Sequence, residues 1–347
     1  MCPEILIPEV EAEALAAEGQ REREQVESEI AAAYEKRIEE TKEKPKTEKR
    51  LIILNMSPKD DKAAVSITLG DERIGANNSE TYSPALNDQE LPTDFADISG
   101  VIFSGSSANI ENKDEFPWIE KVEEYMRQLL AHDVPVLGIC FGMQLYADMN
   151  GREVPKNLGG AEAGFWKTSV FMDAKMTENE FFDGFDFQTD EKRDAEGQVI
   201  EEAKNASMVI TTPGLHNYRV GYSTEQTQGI QGYSYPPNLF DFENFDPAYV
   251  ADKDGTPKEA YPMVEIKDNF YGVQFHPELD TDLKIRANLA TKKIQAPRRL
   301  KEGADMDTIH GIVEGVAQHL EDTRAGKTEG ARSNMFLKNF LDICEVK

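Results

Sequence analysis

A chain of 347 residues with 39% hydrophobic content is long enough to bury a substantial core, as one large domain with additions or as two modest ones. Its 65 acidic against 38 basic residues leave a formal charge of -27, which argues against wrapping nucleic acid or an anionic membrane, because both would repel it. Cys2, Cys140 and Cys344 make no disulfide framework, no Cys/His cluster has zinc spacing, no run reaches membrane-spanning length and no signal-peptide pattern opens the chain, so a cytoplasmic protein without a structural metal is expected.

From about Glu9 to Lys49 the composition is rich in Ala, Glu, Lys, Arg and Gln, and Val26, Ile30, Ala33, Tyr34 and Ile38 fall on one narrow helical stripe. A long amphipathic helix is expected, either packed back on its own domain or solvated, with a partner-docking or dimerising helix as the alternative; Lys42 to Lys49 reads as a charged linker. Leu51 to Leu54 is a first buried strand, Asn55 to Lys62 a polar loop, and Thr81 to Pro84 a second strand. Val101-Ile102-Phe103 is a third, ending in Ser104-Gly105-Ser106-Ser107. Asp114 to Leu130 carries the helical stripe Trp118, Val122, Tyr125 and Leu129, and it returns the chain to the strand Val134 to Ile139. A second helix follows, to about Asn150. Strand, helix, strand, helix in alternation implies a parallel sheet with helices on both faces, and active residues then gather at the carboxyl ends of its strands.

Gly159 and Gly164 have phosphate-loop spacing, but Phe165 stands where a lysine should follow, which excludes that reading. Phe165 to Met172 alternates as a strand, Asp183 to Asn205 reads as a surface excursion, and Phe270 to Phe275 is a strand that Pro277 stops. Lys284, Arg286, Lys292, Lys293, Arg298, Arg299 and Lys301 concentrate positive charge in this acidic chain. A solvated face is the default for such a patch, and a docking surface is the alternative. Asp307 to Leu320 is a helix by Ile309, Val313, Val316 and Leu320.

Two places carry chemistry. Cys140 lies between Gly138 and Gly142 where a strand turns into a helix, the thiol version of a nucleophile elbow, at a helix N-terminus whose unpaired N–H groups favour an anion. A buried structural cysteine beside turn glycines is the plain alternative. His276 and Glu278 stand at a distant strand end, joined by a rigid proline, as a proton carrier and a carboxylate able to orient it. A thiol at one strand end and a base with its partner at another is the constellation of a nucleophilic site.

Gly138 to Gln144 and Gly272 to Glu278 resemble the two signature blocks of class I, or triad-type, glutamine amidotransferases. Val101 to Ser106 resembles the family's strand and oxyanion turn, with Ser106 replacing one of two glycines common in relatives. Asn339-Phe340-Leu341-Asp342-Ile343-Cys344 resembles the closing helix of GMP synthetase amidotransferase domains. The resemblance implies an α/β flavodoxin-like fold, an open, mostly parallel sheet with a nucleophile elbow, over residues 50–347. A charged helical extension would occupy 1–49, and insertions about 222–262 and 281–330. The polar loop after Leu54 departs from relatives, which run there through an Asp or Asn with glycine into a helix.

By the same resemblance Cys140 would attack the side-chain carboxamide of L-glutamine, with His276 as base and Glu278 fixing its tautomer. Gly105 and Phe141 N–H groups would form the oxyanion hole, and Gln144, Asn217 and Tyr218 would contact the bound glutamine. His216 competes with His276 for the role of base, but only His276 has a carboxylate at the expected offset. No cofactor is implied. Ammonia released in water becomes ammonium, and the chain has no pyrophosphatase-type phosphate loop, so the resemblance implies a separate synthetase partner. GMP synthetase is the nearest likeness; carbamoyl phosphate, anthranilate and aminodeoxychorismate systems share the fold. The alternatives are a partner-independent γ-glutamyl peptide or amide hydrolase, in which the insertions, with Gln228 to Pro262 as a flap over the site, enclose a larger substrate, and a non-catalytic scaffold, against which the intact triad argues.

Overall fold

The computed structural model describes residues 8–42, 44–45, 48–87, 89–154, 162–189, 191–193, 198–203, 205–216, 230–234, 261–301, 303–325 and 331–346. In chain order the first half holds α1 (Pro8–Lys42), β1 (Arg50–Leu54), α2 (Lys62–Gly70), β2 (Ser79–Tyr82), β3 (Ile98–Phe103), α3 (Trp118–Ala131), β4 (Val136–Ile139) and α4 (Phe141–Met149). Then come β5 (Glu162–Asp173), β6 (Gln188–Thr189), β7 (Lys192–Arg193), β8 (Val199–Glu201), β9 (Asn205–His216), β10 (Ile230–Ser234), β11 (Tyr261–Lys267) and β12 (Phe270–Val273). The chain ends with α5 (Asp282–Ile294), α6 (Ala296–Lys301), α7 (Met306–Ala325), β13 (Ala331–Arg332) and α8 (Asn334–Ile343).

The main sheet runs β13-β9-β5-β10-β11-β12-β4-β3-β1-β2. From β12 to β2 every pairing is parallel, and from β9 to β12 every pairing is antiparallel. Apolar alternation in β1 explains the layers: Leu51 and Ile53 join Ile67 of α2 and Phe336, Leu337 and Phe340 of α8 on one face. Ile52 and Leu54 join Val122, Met126 and Leu129 of α3 and Leu145 of α4 on the other. The helix-covered parallel sheet and its elbow are those expected, with the antiparallel half attached at β12.

Some boundaries differ from expectation. β5 begins at Glu162 and so absorbs Glu162 to Gly164 as strand, while Ile110–Glu115 is a 3-10 segment that delays α3 to Trp118. The excursion between Asp183 and Asn205 contains a small ribbon, β7 on β8, and β6 pairs with β9. Of the insertion at 222–262, only β10 and the start of β11 are described.

The helical stripe of α1 folds back on its own chain. Ala12 packs with Ala296 and Ile309, and Gly19 passes so close to α5 that an added Cβ would lie 2.6 Å from the Ala290 oxygen. Part of the basic patch is not a solvated face: Arg286 pairs with Glu29, Lys293 with Glu18 at 2.6 Å and Glu22 at 2.7 Å, and Lys292 is buried, while Arg298 and Lys301 are exposed. The paired part faces the acidic side of α1.

Candidate active site

The site forms where β3, β4 and β12 end together. Val273 of β12 lies level with Ile139 of β4, and the Val273 carbonyl accepts the Cys140 N–H at 2.7 Å, so the residues that follow each strand emerge side by side. Cys140 takes φ 50° and ψ -97°, a left-handed conformation that a non-glycine residue adopts only under constraint and that often marks a functional turn. The constraint is close packing. A Cβ on Gly138 would lie 2.7 Å from the Gly142 carbonyl carbon, and one on Gly142 would lie 2.7 Å from the Phe103 oxygen. Without those two glycines α4 could not start so near β3 and β4.

His276 leads into the 3-10 turn Pro277–Leu279, which brings Glu278 back beside it. Its Nδ1 is 2.8 Å from Glu278 Oε1, inside the protein, and its Nε2 is buried without a hydrogen bond. Burial disfavours the charged imidazole, but the Glu278 carboxylate and the neighbouring Cys140 outweigh it, so its pKa stands well above the ordinary 6.5. The Gln274 amide also reaches the site, its Nε2 3.6 Å from Cys140 Sγ.

Gly105 presses its backbone against the imidazole: a Cβ there would lie 2.5 Å from His276 Cε1. Ser104 braces this turn by accepting the Met56 N–H at 2.9 Å and donating to the Gly105 oxygen at 2.9 Å. Ser106 accepts the Ala108 N–H at 2.9 Å, which closes the turn. Phe141 is the first residue of α4, and its N–H has no intrahelical acceptor.

Cys140, Gly105, Gln144, His276 and Glu278 all line one cavity of about 380 Å³. Asn217 and Tyr218 lie outside the described residues. His216 ends β9, which β5, β10 and β11 separate from β12 in the sheet. The opposite wall comes from the segment after β1, with Ser57, Asp60, Lys62, Ala63 and Ser66. Sequence reasoning missed both this wall and α2. The available signals were the Asp60-Asp61 pair ahead of an Ala-rich start, and Ala64 and Ile67 at helical spacing. Behind Glu278, Lys284 of α5 is pushed down to about 8 by burial, with Glu278 pulling the other way. Among the described residues, no group of three His, Cys, Asp or Glu could hold a metal ion, and no helix is long and apolar enough to cross a membrane.

A mostly parallel sheet covered by helices, with Cys140 at a strand-to-helix turn and His276 and Glu278 on the adjoining strand end, defines an α/β class of protein. The particular family follows from comparison with known proteins: a model of the class-I glutamine amidotransferases matches residues 72–295, and the chain belongs to that family. A crystal structure of a glutamine amidotransferase from Thermotoga maritima shares the fold, with a TM-score of 0.53 at 12% identity, covering 86% of this chain and 99% of that one. Gamma-glutamyl peptidase 4 of Arabidopsis thaliana is 25% identical over 60% of this chain and 66% of its own length. A glutamine-hydrolysing GMP synthase of Shewanella woodyi is 26% identical over 52% of this chain and 26% of its own length. One subunit of the glutamine-hydrolysing GMP synthase of Picrophilus torridus is 41% identical over 18% of this chain and 31% of its own length. The chain thus spans less than two thirds of the length of each of these curated relatives.

Proposed function

We propose that the chain is a glutaminase that releases ammonia from L-glutamine for a separate synthetase, with GMP synthetase as the first candidate. The observation that carries this reading is the His276 to Glu278 contact of 2.8 Å beside the thiol of a strained elbow. The Cys140 proton rests on His276, whose pKa is raised, and passes to the departing nitrogen as the sulfur attacks the carboxamide carbon. Ammonia leaves and a γ-glutamyl thioester remains. His276 then activates a water that attacks the thioester, freeing glutamate and restoring the thiol. Glu278 holds the imidazole with Nδ1 protonated and Nε2 toward sulfur. Gly105 and Phe141 N–H groups bind the tetrahedral oxyanion, an effect of about 3 kcal/mol per donor in comparable hydrolytic sites. Gln144 and the wall of Asp60 and Lys62 hold the amino acid portion of the substrate.

A second reading, a partner-independent γ-glutamyl peptide hydrolase, is favoured by the likeness to the Arabidopsis peptidase over 60% of the chain. The chemistry is the same, with a peptide amine in place of ammonia. Incubating the purified chain with glutamine, with and without the synthetase component of a GMP synthetase, and separately with γ-glutamyl dipeptides, tests both. Ammonia release stimulated by the synthetase supports the first. Dipeptide cleavage without glutamine turnover supports the second, and no turnover of either substrate overturns both.

A further inference from the structure

Glu278 holds His276 through one carboxylate oxygen, while the other, Oε2, is buried with no hydrogen-bond partner. A single hydrogen bond therefore sets the carboxylate against the ring, and the placement of the backbone turn that carries it matters correspondingly more. That turn ends in Asp280, two residues further on and wholly buried. The Asp280 N–H bonds back to the Pro277 oxygen at 3.3 Å, and the Leu279 N–H to the His276 oxygen at 3.0 Å. The Asp280 side chain points the other way, into the helical insertion. Oδ2 accepts the Ser333 hydroxyl at 3.2 Å, and Oδ1 lies 3.3 Å from Nε2 of His319 on α7. Ser333 is fully buried and His319 nearly so.

We propose that His319 is a positioning residue for the His276 and Glu278 pair, acting with Ser333 through Asp280, so that the insertion between β12 and α8 is part of the catalytic apparatus. The proposal rests on the reading of Cys140 and His276 as nucleophile and base. α7 packs on α5 through Ile285, Val316 and Leu320, and α1 clamps α5 from outside through Glu18, Glu22 and Glu29. The helical layer thus meets the catalytic turn through the Asp280 contacts as well as through the chain that runs from Asp280 into α5. Buried polar pairs of this kind fix orientation more than they add stability, and a displacement of about 1 Å at a reacting group can cost on the order of a hundredfold in rate.

The test uses the full chain and two readouts. Alkylation of Cys140 by iodoacetamide at neutral pH, resolved from the other cysteines by peptide mass, reports the pairing of thiol and imidazole whatever the natural substrate. Steady-state kinetics on glutamine and a γ-glutamyl dipeptide report turnover. His319→Leu is expected to slow alkylation and kcat about tenfold with KM unchanged, and His319→Gln, which restores an N–H toward Asp280, to recover most of both. Lys293→Met, which loosens α1 from α5 without touching Asp280, leaves both at wild-type values. A folded His319→Leu protein with wild-type alkylation and kcat overturns the proposal. If that variant does not fold, Ser333→Ala decides on the same readouts, because it removes only one hydrogen bond. Slower alkylation in the variants, with wild-type protein that turns over neither substrate, supports the positioning role while removing the proposed reaction.

Discussion

The side-chain amide of Gln274 donates to the sulfur of Cys140 across 3.6 Å, inside the protein and one residue beyond β12. A donor aimed at sulfur stabilises negative charge there, and a hydrogen bond to a charged group contributes about 1.5–3 kcal/mol. Gln274→Met keeps the volume and removes the donor. It should slow both alkylation of Cys140 and turnover by roughly tenfold or more at neutral pH, with a cooperative thermal unfolding transition retained. Unchanged alkylation would leave Gln274 a packing residue.

Glu278→Gln removes the charge that raises the His276 pKa. In the folded protein the imidazole stays protonated to a higher pH than in the unfolded chain, where it titrates near the ordinary 6.5. The resulting stabilisation is fully present below that unfolded value and disappears as pH rises through the folded one. The difference in Tm between wild type and Glu278→Gln should therefore be largest between about pH 5 and 6.5 and shrink as pH climbs. A difference that grows with pH would exclude the imidazolium and carboxylate pair.

Gly105→Ala places a methyl where only 2.5 Å separates it from His276 Cε1. Either the ring or the turn must move, and both belong to the proposed reaction. The turn lies at the surface of the cavity, so the core on either side of the sheet should stay intact. We expect turnover to fall by about 10²-fold with Tm within a few degrees of wild type.

Lys62 lines the cavity and pairs with Glu27 of α1 at 3.3 Å in solvent, an exposed contact of little energetic weight. Its ammonium is thus available to a substrate carboxylate. Lys62→Ala should raise KM for glutamine roughly tenfold with kcat little changed, the signature of lost uniform binding. An equal loss in kcat would instead mark Lys62 as acting on the transition state.

The elbow was legible in the sequence because its constraints are local. Gly138, Cys140 and Gly142 within seven residues of a β-branched run leave few backbone paths, and His276 and Glu278 are separated only by a proline. The wall around Lys62 was not. α2 reads Lys-Ala-Ala-Val-Ser-Ile-Thr-Leu-Gly, rich in β-formers, and it is helical because Ala64 and Ile67 pack against Leu51 and Ile53, a tertiary contact that overrides propensity. Gln274 escaped notice because its importance depends on the register of β12 against β4. The inward-facing part of the basic patch was misread because Arg286 finds its carboxylate on Glu29, far back in the chain, where no periodic pattern links the two.

Two glycines in helices should respond oppositely to alanine. Gly311 of α7 has open space where its Cβ would stand, so Gly311→Ala gains helix propensity alone and should stabilise by about 1 kcal/mol. Gly19 of α1 has the Ala290 oxygen and Lys293 Cβ both at 2.6 Å and the Ile294 nitrogen at 3.0 Å. Two of those atoms are α5 backbone and cannot yield unless the helices part. The same propensity gain is then set against overpacking of about 1–3 kcal/mol and weaker pairing of Glu18 and Glu22 with Lys293. Gly19→Ala should lower Tm while Gly311→Ala raises it, measured by thermal unfolding under one buffer. If both raise it, α1 does not pack on α5 in solution, and its apolar stripe is free for another partner.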